Sequence, residues 1–136
     1  MVRQDDRSVD DAVFFLRALT QDDWWVSMED RIRVSSVAFF TYDKERREPG
    51  ETSCYADSPE GRDVFKRRFP NMPAARFMAG SARAAGFNIT RDPEGDVENS
   101  PEHFVLTYPR ETRRNPYQRD CRQLALASDF TPSSSI

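Results

Sequence analysis

The sequence predicts a single α+β domain, a small and mostly antiparallel sheet with helices packed on one face. Three observations lead there. The chain has 136 residues, the size of one domain with its own core. Its apolar residues fall into a few strand-like runs set between longer stretches with helical spacing. Ser58-Pro59 and Asn115-Pro116 each read as a capping residue followed by proline at the first helical position. The domain is expected over residues 8–130, with flexible ends at 1–7 and 131–136.

The elements follow in order. Ser8 is expected to cap a first helix, with Asp10 and Asp11 at the positive end of its dipole and Ala12, Phe15, Leu16 and Leu19 on its apolar stripe. Residues 31–42 read as a strand. Ile32, Val34, Ser36, Ala38 and Phe40 lie on one face; Arg33, Ser35, Val37 and Phe39 lie on the other. Both faces turn apolar after Ser36, as in a buried central strand. The charged run 43–52, with Pro49-Gly50, reads as an exposed loop, and 53–56 as a short strand. A helix from Pro59 carries Val64 and Phe65 inward and stops before Pro70. A further helix is expected over 71–85, with Phe77 and Met78 on its stripe and Gly86 as its stop. Residues 87–90 and 103–108 read as strands around a polar loop. A charged link at 111–114 precedes the last helix, where Tyr117, Cys121, Leu124 and Ala125 share a face.

Composition narrows the function classes. The net charge is −3, so nothing in the overall field draws the chain to nucleic acid or to an anionic membrane. Nucleic acid is therefore an unlikely partner. Hydrophobic residues make up 38% and charged residues 32%, which implies a small core beneath a wide hydrated surface. The basic side chains are almost all arginine, the pattern a G+C-rich genome produces. Cys54 and Cys121 stand far apart and form neither a zinc motif nor a disulfide framework. No metal or cofactor is expected. No run approaches the ~18 apolar residues of a membrane span, and Met1 to Asp11 is polar and acidic rather than signal-like. A cytoplasmic setting with free thiols, and no membrane partner, is the expectation.

Two segments hold the candidate site residues. In the first, Arg31, Arg33 and Ser35 share one face of the expected strand, beside Ser36. A row of guanidinium groups next to hydroxyls suits phosphates or a nicotinamide-type ligand, although charges facing water at a sheet edge explain the same pattern. In the second, His103 ends the polar loop 92–103 and is the sole histidine. It has no partner histidine, and a structural ring bonded to a loop carbonyl is the commoner role. The catalytic alternative makes it a general acid or base. Trp24 and Trp25 follow an acidic turn. One of them is expected in the core, and an exposed one would mark a partner interface.

At Arg33-Val34-Ser35-Ser36-Val37-Ala38-Phe39, then Asp92-Pro93, then Asn99-Ser100-Pro101-Glu102-His103, the chain resembles a group of small bacterial proteins of unassigned function. Those carry an Arg-x-Ser-Ser-x-Ala-Phe stretch and a later Asn-Pro-x-His element, which Ser100 interrupts here. The resemblance implies that Arg33, Ser35, Ser36, Asn99 and His103 are neighbours in space. It brings no activity with it.

Two functions are therefore expected. The first is a non-catalytic accessory or interaction protein of a bacterial intracellular system, with a protein partner or a second copy of itself. The second is a small enzyme or nucleotide-binding, toxin-like domain in which Arg33 grips phosphate, Ser35 assists and His103 moves a proton.

Overall fold

The computed structural model describes residues 2–109 and 114–136. The strands in chain order are β1 (Phe14–Ala18), β2 (Trp25–Ser27), β3 (Ile32–Val34), β4 (Tyr42–Asp43), β5 (Glu48–Pro49), β6 (Thr52–Ala56), β7 (Ala74–Met78), β8 (Asn88–Arg91), β9 (His103–Thr107) and β10 (Asp129–Thr131). The helices are α1 (Pro59–Arg68), α2 (Ala79–Ala84) and α3 (Arg114–Leu126). Six strands form one antiparallel sheet in the order β10-β7-β1-β6-β9-β8. β2–β3 and β4–β5 are separate hairpins. The fold is α+β, as the sequence predicts. The charged link expected at 111–114 lies almost wholly outside the described residues.

The expected first helix is a central strand instead. Asp6 and Asp10 turn their carboxylates onto the amides of Ser8 and Ala12, at 3.0 and 2.8 Å, and these local turns take up the bonds a helix start would need. The run that follows then pairs on both sides, Phe15 with Phe77 of β7 and with Ala56 of β6. Phe15 enters one core layer and Leu16 the other. Burial on both faces gives a contiguous apolar run, which mimics a helical stripe. The same holds for the helix expected over 71–85: Ala74–Met78 is β7, and only 79–84 is helical.

Residues 31–42 are extended only over Ile32–Val34. Ser35 Oγ then accepts from the amide of Val37 and caps a 3₁₀ turn over Ser36–Phe39. Ala38 and Phe39 are fully buried in this turn, beside α3 rather than within the sheet. That packing accounts for the apolar residues on both faces after Ser36.

The helices, expected on one face, divide between two. On one face Phe15, Phe77, Phe104 and Leu106 meet α2, α3 and the 3₁₀ turn. On the other, Leu16, Tyr55 and Ala74 meet Val64 and Phe65 of α1. Ser58 caps α1 by accepting from the amide of Gly61 at 2.9 Å. Gly61 is needed because a Cβ there would lie 1.8 Å from the carbonyl oxygen of Ala56, at the end of β6.

Both chain ends, expected to be loose, carry contacts. Asp5 accepts from the amide of Ile89 at 2.8 Å, and Thr90 donates to the carbonyl of Gln4 at 2.6 Å. Thr131 belongs to β10, and Ile136 packs on the α1-side core.

Candidate functional site

The hairpin β2–β3 stands over the face of the sheet that α3 covers, against β10 and the C-terminal half of α3. Cross-strand pairs set its register: Trp25 opposite Val34, Val26 opposite Arg33 and Ser27 opposite Ile32. Trp25 and Val34 turn inward. Trp25 rests on Phe130 of β10, ring centroids 5.7 Å apart, and Val34 is buried. Between hairpin, helix and β10 lies a hollow of about 500 Å³, lined among others by Arg31, Ile32, Arg33, Leu126 and Phe130. A second hollow of about 210 Å³ shares Arg33, Ala125 and Leu126 with it and adds Ser35, Ser36 and Arg122. The shared lining makes the two hollows one furrow along α3.

This furrow is lined by exposed apolar side chains, by Arg31, Arg33 and Arg122, and by one carboxylate, Asp129. Ile32 is 40% exposed and Leu126 60%, and Val26, Met28 and Val37 add exposed apolar surface around it. Arg31, Arg33 and Arg122 form no ion pair among the described residues, while eight other arginines do. Neither tryptophan is the exposed anchor that the sequence allowed. Both are half-buried against the main core, and the guanidinium of Arg17 lies over Trp24, 5.1 Å from the ring centroid. Ser35 Oγ serves the backbone of Val37, and Ser36 lines the second hollow.

His103 belongs to a different place. It pairs with Tyr55 on β6, its ring lies against the Tyr55 ring at 5.1 Å, and it faces α1 on the opposite side of the sheet from the hairpin. Its Nδ1 is 2.6 Å from the carbonyl oxygen of Asp92, the loop-carbonyl bond expected of a structural histidine. Asn99 lies near it in sequence, at φ 51° in the loop that wraps the buried Asp96. The sheet thus separates Arg31, Arg33, Ser35 and Ser36 from Asn99 and His103. The neighbourhood implied by the resemblance is not formed, and Arg33, Ser35 and His103 share no cleft.

Arg17, Ser53, Tyr55, Arg68, Gly95 and His103 do share a cavity, of about 200 Å³. Of these, the sequence singled out His103 alone. The missed signal was Arg17, a cation inside the run Phe14-Phe15-Leu16-Arg17-Ala18-Leu19. In the furrow Arg122 and Leu126 were missed because both lie off the apolar stripe of the last helix.

Burial also acts on three further groups. Burial pushes the thiols of Cys54 and Cys121 up to about 12, so neither is a thiolate at neutral pH. Burial, with Asp96 as hydrogen-bond partner, likewise raises Tyr55 to about 12. Among the described residues no helix is long and apolar enough to cross a membrane. No family model, curated protein or solved structure matches the chain.

Proposed function

We propose that the protein is a non-catalytic accessory protein that holds a partner through the furrow between β3, α3 and β10. The occupant is an extended segment of another protein, with apolar side chains flanked by Asp or Glu. One observation carries this reading: three arginines without ion pairs among the described residues border exposed Ile32 and Leu126. Apolar contact would supply affinity, and the arginine forks would supply register and choice of partner. A furrow bounded by two strands favours an extended segment over a helix. The buried free thiols and the arginine-rich composition fit a bacterial cytoplasm. The enzyme reading with Arg33, Ser35 and His103 loses its support, because those residues lie on opposite sides of the sheet.

Selection from a random library of displayed linear peptides tests this. Enriched sequences are expected to combine two or more apolar residues with Asp or Glu. Their binding is expected to weaken at least about tenfold in Leu126→Asp and in Arg33→Glu, with thermal midpoints unchanged because both side chains are exposed. Enriched peptides without acidic residues, or peptides that bind Leu126→Asp as well as the native chain, would refute it.

A further inference from the structure

A second site lies on the other side of the sheet, where β1 and β6 stop pairing after Leu16 and Tyr55. We infer that the cavity there binds a protonated phosphate group, as free hydrogen phosphate or as a small phosphomonoester. This inference is independent of the furrow.

The first argument is a cation without a counter-ion. Where the strands part, Arg17 spans the gap: Nε donates to the carbonyl of Ala38 at 3.0 Å and one terminal nitrogen to that of Ser53 at 3.1 Å. It makes no ion pair with a carboxylate among the described residues. Burial lowers its pKa from the ordinary value, yet a guanidinium keeps its proton. A partly buried charge whose partners are two carbonyls and the face of Trp24, with no carboxylate among the described residues, favours an anion close by.

The second argument concerns its neighbours. Arg68 reaches Asp96 only at 3.8 Å, beyond hydrogen-bond distance, so its fork retains donors for another acceptor. The two acids nearby each hold partners of their own. Asp92 takes Arg3 on Oδ1 at 3.0 Å, and its Oδ2 lies 3.8 Å from Nδ1 of His103. Asp96 accepts from the Tyr55 hydroxyl at 2.5 Å and from the amides of Glu98 and Ser100.

The third argument selects the ligand. A carbonyl only accepts, so the bond to Asp92 fixes the proton of the neutral His103 ring on Nδ1. Nε2 is left with a lone pair and no partner among the described residues. Hydrogen phosphate carries a P–OH that can donate to it, whereas sulfate at neutral pH has no proton to give. Gly95 is required there because the Asp92 carboxylate and the His103 ring approach it closely: a Cβ would lie 2.1 Å from Oδ2 of Asp92 and 3.2 Å from Cε1 of His103. At about 200 Å³ the cavity is smaller than the ~300–1,000 Å³ of most ligand pockets, which suits phosphate with a short substituent and not a nucleotide.

The test titrates the full chain at neutral pH and constant ionic strength with sodium phosphate, glycerol phosphate and sodium sulfate, following the amide resonances of Ser53, Tyr55 and Gly95. Saturable shifts are expected with phosphate, at least about tenfold tighter than with sulfate. Compared again at about pH 6, where a monoester keeps part of its P–OH, a monoester that binds as tightly as phosphate assigns the site to phosphorylated small molecules; a weaker one assigns it to the free ion. Because Arg17 also bridges two carbonyls, the exposed Arg68 is the safer position: Arg68→Gln is expected to weaken phosphate about tenfold with the fold intact. Absence of saturable shifts at millimolar phosphate, equal affinity for sulfate, or an unchanged Arg68→Gln would overturn the proposal.

Discussion

Asp57 stands where β6 ends and α1 begins, and it ties three parts of the chain together. Its carboxylate accepts from Arg62 of α1 and, at 2.6 Å, from Nε of Arg76 on β7. The Arg76 guanidinium in turn covers the Phe14 ring at 3.6 Å. Burial alone would raise the Asp57 pKa, but the two arginines outweigh it and hold the carboxyl below its ordinary value. A depressed carboxylate stabilises the fold fully above its unfolded pKa, and that contribution is lost as pH falls through the folded value. Asp57→Asn is therefore expected to cost about 1–2 kcal/mol at neutral pH, since both arginines are about one-third exposed and solvent weakens the pair. The cost should fade below about pH 4, the ordinary carboxylate range. Urea unfolding at neutral and acid pH checks this. An equal loss at both would contradict the assignment.

Tyr117 makes a comparable tie on the other face. Its hydroxyl receives the amide of Thr41 at 3.1 Å and lies 3.0 Å from the carbonyl of the same residue, with the ring fully buried. Tyr117→Phe leaves that amide without its acceptor, and about 2 kcal/mol of stability should go with it. Denaturant midpoints decide the matter, and a change under a few tenths of a kcal/mol would show that water replaces the bond.

At the scale of elements, α1 depends on a close approach to β6. Gly61→Ala would force a methyl group into the carbonyl of Ala56, so α1 must shift from its seat on Tyr55 and Leu16. A loss of about 3 kcal/mol is expected, against about 1 kcal/mol for removal of the Ser58 cap in Ser58→Ala. If the two variants melt alike, the contact is softer than the backbone geometry implies.

The elements also show what was legible in the chain. Ser58-Pro59 and Asn115-Pro116 marked the starts of α1 and α3 to within about a residue, because caps act locally. β8 and β9 were legible as short apolar runs between turn residues. β1 and β7 were not, because a strand buried on both faces has no alternation to read, and only long-range pairing decides its state. The Arg31–Ser36 segment stood out in the sequence, since cations beside apolar residues at an edge leave a visible pattern, and it lines the furrow. The company it keeps was hidden. Leu126, Phe130 and Arg122 reach it through the final helix and strand, and His103 faces away on the strand β9, whose neighbours the sequence did not reveal.

For the molecule as a whole, the sheet separates two surfaces of different character. One side carries the furrow, with apolar side chains, three arginines and Asp129 in its lining. The other carries the small cavity around Arg17 and His103. A net charge of −3 gives the furrow no help from the overall field, so attraction for an acidic segment must come from the three local arginines. Binding should accordingly weaken with salt, while the apolar share persists at high ionic strength.

The most direct measurement is a charge exchange between chain and ligand, read by fluorescence anisotropy on a selected acidic peptide. The native chain should bind the acidic peptide, Arg33→Glu should lose it at least about tenfold, and Arg33→Glu should regain affinity for the same peptide with its acidic residues changed to arginine. If Arg33→Glu binds the acidic peptide as tightly as the native chain does, recognition does not occur in this furrow.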